Sequence, residues 1–147
     1  KFYLLKVLSK ATIYSLRALI YMSGKESKDT PVTIGEISEN LEISFHFLTK
    51  SFQLLTQRGI LESLRGPAGG IFLNKPVNKI FLIDVINILE GEDFFDTCML
   101  GLPGCGEREP CPVHMFWKDV KGKMKMEFKK TTLAHLAEKV QTGKMRI

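Results

Sequence analysis

The stretch IGEISENLEISFHFLTKSFQLLTQRGIL, residues 34–61, with RGPAGGIFL at 65–73 close behind it, decides how this chain is read. Thr33 and Glu36 have capping-box spacing, which predicts a short helix from Ile34 to about Leu41. A tight turn through Glu42 and Ile43 follows. Ser44 is then placed to cap a further helix that keeps Leu48, Phe52 and Leu55 on one face and stops at Gly59, a residue that adopts the left-handed cap conformation cheaply. ILESL at 60–64 and IFL at 71–73 are rich in branched and aromatic residues, and RGPAGG between them can only be a turn. This predicts a β-hairpin with a basic tip.

Working outward, Ile13, Leu16, Leu19 and Ile20 recur with helical period from Ser9 to Met22, with Ser9 as the cap, and the polar GKESKDTP at 24–31 ends that helix. Three helices, the second and third joined by a short turn, then a hairpin, is the element order of a winged helix-turn-helix. A small α+β domain whose helix pair binds nothing has the same order. LIDVINILE at 82–90 predicts a short amphipathic helix ended by Gly91. After Pro112, Val113, Phe116 or Trp117, Val120, Met124 and Phe128 fall at spacings of three and four with lysines between them, a narrow stripe suited to a two-helix seam. Gly122 interrupts that helix at a cost of about 1 kcal/mol. Thr132 caps a last helix through Val140, and the tail beyond Gly143 is expected to fray. The expected class is thus mainly α with a small β-hairpin wing: a winged helix-turn-helix over 1–76, then a linker helix, a cysteine loop and a long dimerisation helix over 77–147.

The chain has 147 residues, enough for a real core without staples, and a net charge of +5. Residues 77–97 hold one Lys/Arg against five Asp/Glu, whereas 1–76 and 98–147 each hold ten basic residues against six and five acidic ones. Basic flanks around an acidic hinge permit phosphate binding; a surface of solvated lysines has the same profile. An odd number of cysteines, no signal peptide and no apolar run of roughly 20 residues predict reduced thiols, a cytoplasmic location and no membrane contact. Numbering starts at Lys1 rather than methionine, so the native start is expected to be missing or altered. No nucleophile-and-base arrangement points to an enzyme, and no small-molecule substrate is expected.

In a helix-turn-helix the first turn of the second helix enters the major groove, and here it offers Ser44, His46, Thr49 and Lys50. Ser44 is equally accounted for as a plain cap. Of Phe45 and Phe47, one is expected in the core and the other against a thymine methyl. Arg65 at the hairpin tip suits a narrow minor groove, with Gly66, Pro67 and Gly69 letting backbone amides approach phosphates, although a solvated arginine on a plain turn reads the same. Ser9 and Lys10 are placed to hold a phosphate at a helix start.

All three cysteines lie in CMLGLPGCGEREPCPVH, residues 98–114. Their spacing, Cys98, Cys105, Cys111 and then His114, does not match paired zinc knuckles. Three thiolates and an imidazole nevertheless suit tetrahedral zinc or an iron–sulfur cluster, and Gly101, Gly104 and Gly106 let the loop wrap a large core. Unligated thiols are the plain alternative. His135 lies outside the constellation and reads as a surface residue.

LSKATIYSLRAL at 8–19, the 34–61 run, the RGPAGGIFL wing, and three cysteines followed by H-x-x-W and TTLAHL together resemble the iron–sulfur cluster-sensing winged-helix transcription regulators of bacteria, the IscR/NsrR group. The resemblance spans nearly the whole chain. It implies a homodimer whose helix at about 113–130 pairs the subunits, with Val113, Phe116, Trp117, Val120, Met124 and Phe128 at the seam. Two winged units would then read a pseudo-palindromic double-stranded operator, with half-sites roughly 34 Å apart. It also implies that Cys98, Cys105 and Cys111 bind the cluster, and His114 matches the histidine ligand of the assembly-regulator branch. The nitric-oxide branch borrows a carboxylate near the partner's amino terminus; here no Asp or Glu precedes Glu26, which favours a 2Fe–2S cluster. Regulators of this fold that hold no cluster and respond through thiol oxidation or a partner protein, and metal carriers that bind no DNA, are the alternatives. Thr49 and Lys50 stand where the assembly regulator has glutamate and glutamine, so its base preference does not transfer. The first cysteine gap is one residue longer, and Phe81 replaces the usual threonine cap.

Overall fold

The computed structural model describes residues 7–25, 30–143 and 145–147; half of the polar stretch expected to end the first helix, residues 26–29, and Lys144 in the tail lie outside them. In chain order the elements are α1 (Lys10–Ser23), α2 (Ile34–Leu41), α3 (Phe45–Gln57), β1 (Leu61–Leu64), β2 (Gly70–Leu73), α4 (Leu82–Glu90), α5 (His114–Lys130) and α6 (Leu133–Gln141), with single 3-10 turns at Val77–Lys79 and Phe94–Asp96. This is the expected winged helix-turn-helix followed by a long helix.

Local chemistry accounts for most boundaries. Thr33 caps α2, its Oγ1 accepting from the Glu36 amide at 3.1 Å. Only half of the expected capping box forms, because the Glu36 carboxylate instead takes Lys25 Nζ and the Tyr21 hydroxyl. Glu42 sits at φ 53°, the left-handed conformation that turns α2 into α3. Ser44 occupies the cap position of α3, yet its side chain makes no capping bond, so the expected hydroxyl cap is corrected: the Ser38 hydroxyl grips the turn by donating to the Ile43 carbonyl at 2.6 Å. Gly59, at φ 81°, ends the helix as expected. Phe81 offers α4 no side-chain acceptor, and the start is set from the other side, Asp84 Oδ2 accepting from the Phe81 amide at 3.3 Å.

The hairpin pairs antiparallel, Leu61 opposite Leu73 and Leu64 opposite Gly70. Val32 adds a one-residue third strand, exchanging two backbone hydrogen bonds with Ile71 at 2.9 and 2.8 Å. Gly70 packs so closely against this segment that a Cβ would lie 2.9 Å from the Pro31 side chain.

One hydrophobic core runs through Ala18, Leu19, Ile37, Leu48, Phe52, Leu55, Ile60 and Leu61, and continues beyond residue 76 into Ile80, Val85 and Leu133. The end of α5 is stitched to the start of α4: the Leu82 amide donates to the Thr131 carbonyl and the Leu133 amide to the Ile80 carbonyl, both at 2.9 Å. Thr132 caps α6 by accepting from the His135 amide, and exposed His135 returns the bond through Nδ1. Among the described residues no helix is long and apolar enough to cross a membrane.

Candidate metal centre and nucleic-acid interface

The loop between α4 and α5 folds its three thiols onto one point. Cys98, Cys105 and Cys111 present sulfurs that all lie within 4.8 Å of one another, and Cys98 Sγ is 3.7 Å from Cys111 Sγ. His114 opens α5, with Nδ1 3.5 Å from Cys105 Sγ. Its Nε2 is buried without a hydrogen-bond partner among the described residues. A buried polar nitrogen with no partner is costly; it is the other nitrogen of the ring, Nδ1, that faces a thiol, and His114 stands outside the group of three converged sulfurs. Gly101 and Gly104 take φ values of 69° and 72°, conformations that a residue with a Cβ resists.

Electrostatics at the thiols are uneven. Backbone amides of Leu102 and Leu100 point at Cys98 and bring its thiol down to about 7 from an ordinary 9.0, against some desolvation. At Cys105 the Cys111 amide acts in the same lowering direction, but desolvation and the neighbouring thiols outweigh it and leave that thiol raised. Cys98 is therefore the first of this pair to ionise. Soft thiolates with one imidazole suit zinc or iron–sulfur ligation, and the converged sulfurs, with the His114 ring next to Cys105, fit such a group.

The loop is tied to α5 at several places. Trp117 Nε1 donates to the Thr97 carbonyl at 3.2 Å, Lys118 pairs with Glu107, and Lys121 Nζ reaches the carbonyls of Phe94 and Thr97. Among the expected seam residues, Trp117 faces this loop and Phe128 packs its ring 6.2 Å from Phe95. Val113, Val120 and Met124 are half-buried. Phe116 points outward at 65% exposure, as do Met115 and Met126, and Gly122 has open space where a Cβ would stand.

In the helix-turn-helix, α3 carries exposed His46 and Lys50. The Thr49 hydroxyl is spent inside the helix, donating to the Phe45 carbonyl at 2.8 Å. Neither phenylalanine of the first turn is core: Phe45 is 53% and Phe47 44% exposed, the latter edge-on to Tyr14 with ring centroids 5.7 Å apart. That corrects the expectation of one buried ring: the buried apolar residues around this turn are Ile43 and Leu48. Arg65, Gly66 and Pro67 are exposed at the wing tip. Gly69 is obligatory there: its amide closes the turn on the Gly66 carbonyl at 2.9 Å, and a Cβ would stand 2.2 Å from the Leu64 carbonyl oxygen.

The first-helix expectation needs correcting at Ser9. Its Oγ caps α1 by accepting from the Thr12 amide at 3.2 Å. Its own amide donates to Glu90 Oε1 at 2.8 Å, so a carboxylate from the end of α4 occupies the helix terminus that was expected to take a phosphate. Lys10 remains exposed. No local pattern signals the Glu90 contact, which joins residues 81 positions apart.

Comparisons with known proteins agree with this architecture. Residues 8–139 match the Rrf2 family model, described as an iron-dependent transcriptional regulator. The chain is 33% identical over 132 residues to an HTH-type transcriptional regulator of Aquifex aeolicus, covering 88% of this chain and 90% of that protein. It is 32% identical over 123 residues to the HTH-type transcriptional regulator IscR of Yersinia enterocolitica, covering 84% and 74%. In structure it resembles CymR, the global cysteine regulator of B. subtilis, with a TM-score of 0.72, 26% identity and 92% and 98% of the two chains covered. It shares its fold with T. potens IscR, with a TM-score of 0.74, 22% identity and 95% and 92% covered. These relatives are transcriptional regulators rather than enzymes. The chain belongs to the Rrf2 family of transcriptional regulators.

Proposed function

We propose that this regulator is a cytoplasmic homodimer that binds a pseudo-palindromic duplex operator, and that an iron–sulfur cluster of the 2Fe–2S type controls the binding. The observation that carries the cluster reading is the meeting of three thiols within 4.8 Å of one another, with the His114 ring against one of them through Nδ1. Cys98, Cys105, Cys111 and His114 would hold the group. Bound there, it would supply a redox-active inorganic core that oxidants can dismantle.

The chain's own residues give the reading a route to DNA. Trp117 and Lys121 tie the segment before Cys98 to α5, and Glu90, just upstream of the loop, is bound to the start of α1. A shift of the loop is thereby felt at both α5 and the DNA-facing unit, where a differential of about 1–3 kcal/mol is enough for regulation. On α3, His46 and Lys50 are free for bases or phosphates, and Thr49, with its hydroxyl occupied, presents its methyl group. Arg65 extends the contact to the minor groove. For the dimer, the outward residues Phe116, Met115, Gly122 and Met126 offer α5 an apolar face next to the half-buried Val113, Val120 and Met124.

A second reading has an observation of its own. Two thiolates on one tetrahedral ion at metal–sulfur distances of about 2.3 Å lie about 3.8 Å apart, and Cys98 and Cys111 stand at 3.7 Å, so a single zinc ion also suits the site. Iron and acid-labile sulfide analysis separates the two. Replacing His114 with alanine tests the ligand set: cluster lifetime should shorten and operator affinity change, and unchanged values of both remove His114 from the mechanism.

A further inference from the structure

Lys121 is a lysine where one is not expected. It lies in the middle of α5 at 4% exposure, and among the described residues no carboxylate lies within ion-pair distance of it. Burying an ammonium without compensation is expensive. The compensation comes from backbone and rings: Nζ donates to the Thr97 carbonyl at 2.7 Å and to that of Phe94, and it faces the rings of Phe94 and Trp117, each 5.3 Å away. The Thr97 carbonyl also takes the Trp117 indole N–H, while the Thr97 hydroxyl is fixed on the Asp93 carbonyl at 2.9 Å. Thr97 is the residue before Cys98. Other lysines of α5, such as Lys118, Lys123 and Lys130, reach exposed carboxylates on the surface.

We infer that Lys121 is the positioning residue of the cysteine loop: by holding the Phe94 and Thr97 carbonyls against α5, it fixes where Cys98 enters the thiol cluster. The inference rests on the metal-binding reading above and adds a residue outside the ligand set. The physical reason is reach and valence. An ammonium carries three donors on a four-carbon stem, so one buried side chain can hold two carbonyls of the Phe94–Asp96 3-10 turn and the residue after it. The aromatic faces offset part of the cost of burying the charge.

The test compares the full chain with K121M, K121Q and W117F. The readouts are hydrogen exchange at residues 94–106 of the metal-free protein and anaerobic titration with Co2+, read by thiolate-to-cobalt charge transfer. K121M should keep its helical circular dichroism, exchange faster in the loop, and bind Co2+ on the order of tenfold more weakly, the size expected for a residue that orients a metal ligand. K121Q, whose carboxamide still donates to a carbonyl, should stay within about threefold of the parent. W117F should lose part of the loop protection. Parent-like exchange and affinity in K121M overturn the inference; equal damage in K121M and K121Q also overturns it, since charge rather than the held carbonyls would then be at work. Should K121M not fold, K121A carries the same test, and parent-like loop exchange and Co2+ affinity in it overturn the inference. Absence of cobalt bands in the parent defeats the metal-binding reading and, with it, the role at Cys98.

Discussion

Replacing Leu133 with alanine tests whether α6 shares one core with the winged unit. Leu133 is the first residue of α6 and is fully buried, in the same core as Leu19, Leu48 and Phe52. The substitution leaves the backbone bond to the Ile80 carbonyl and the Thr132 cap in place, so the loss comes from the apolar side chain alone. Three carbons leave the core, about 2.4 kcal/mol in transfer free energy, and the cavity they vacate brings the cost to about 2–5 kcal/mol. At roughly 3 °C per kcal/mol for a chain of this size, the melting temperature should fall by roughly 6–15 °C. Differential scanning calorimetry of the metal-free protein reads this directly, with the winged unit and α6 melting in one transition. A loss under about 1 kcal/mol, or two transitions with the winged unit unmoved, would refute the reasoning from a shared core.

Two other perturbations probe the DNA and thiol ends. Gly69→Ala forces a Cβ against the Leu64 and Gly66 carbonyl oxygens, at 2.2 and 2.8 Å before relaxation; with strain of about 1–3 kcal/mol confined to the wing tip, operator affinity should fall about tenfold while the winged core stays folded, as measured by fluorescence anisotropy beside a thermal melt. Cys98 ionises at about 7, below the ordinary 9.0, so in metal-free protein its alkylation by iodoacetamide should be half-maximal near pH 7 and fall away as pH drops below that. Cys105, raised, should react later on the alkaline side; peptide mapping that shows Cys105 alkylated first would contradict the amide-stabilised thiolate at Cys98.

Elements set by neighbours in sequence were readable from the chain: the Thr33 cap, the Gly59 stop, the hairpin around RGPAGG and the apolar face of α3 all depend on residues within a few positions. Ser44 shows the limit of that reasoning, because a good cap residue was bypassed when the Ser38 hydroxyl took hold of the turn from the other side. The site was half legible. Three cysteines and a histidine point by composition to a candidate metal-binding loop, but Lys121 reads as one more solvated lysine between apolar positions. Its burial depends on the carbonyls of Phe94 and Thr97, 27 and 24 residues away, in a segment with no periodic signal. The Glu90 carboxylate at the start of α1 was invisible for the same reason. Contacts of an irregular loop follow from tertiary packing, which helical periodicity does not encode.

The most direct test is to purify the protein under strict exclusion of oxygen, record its visible absorbance with iron and sulfide content, and titrate a selected operator duplex with the loaded and the stripped protein at two salt concentrations. The account expects brown protein with about two iron and two sulfide per chain, salt-steep binding, and an affinity that differs between the two forms by about 5–150-fold. Colourless, iron-free protein, or equal affinity of the two forms, would contradict it.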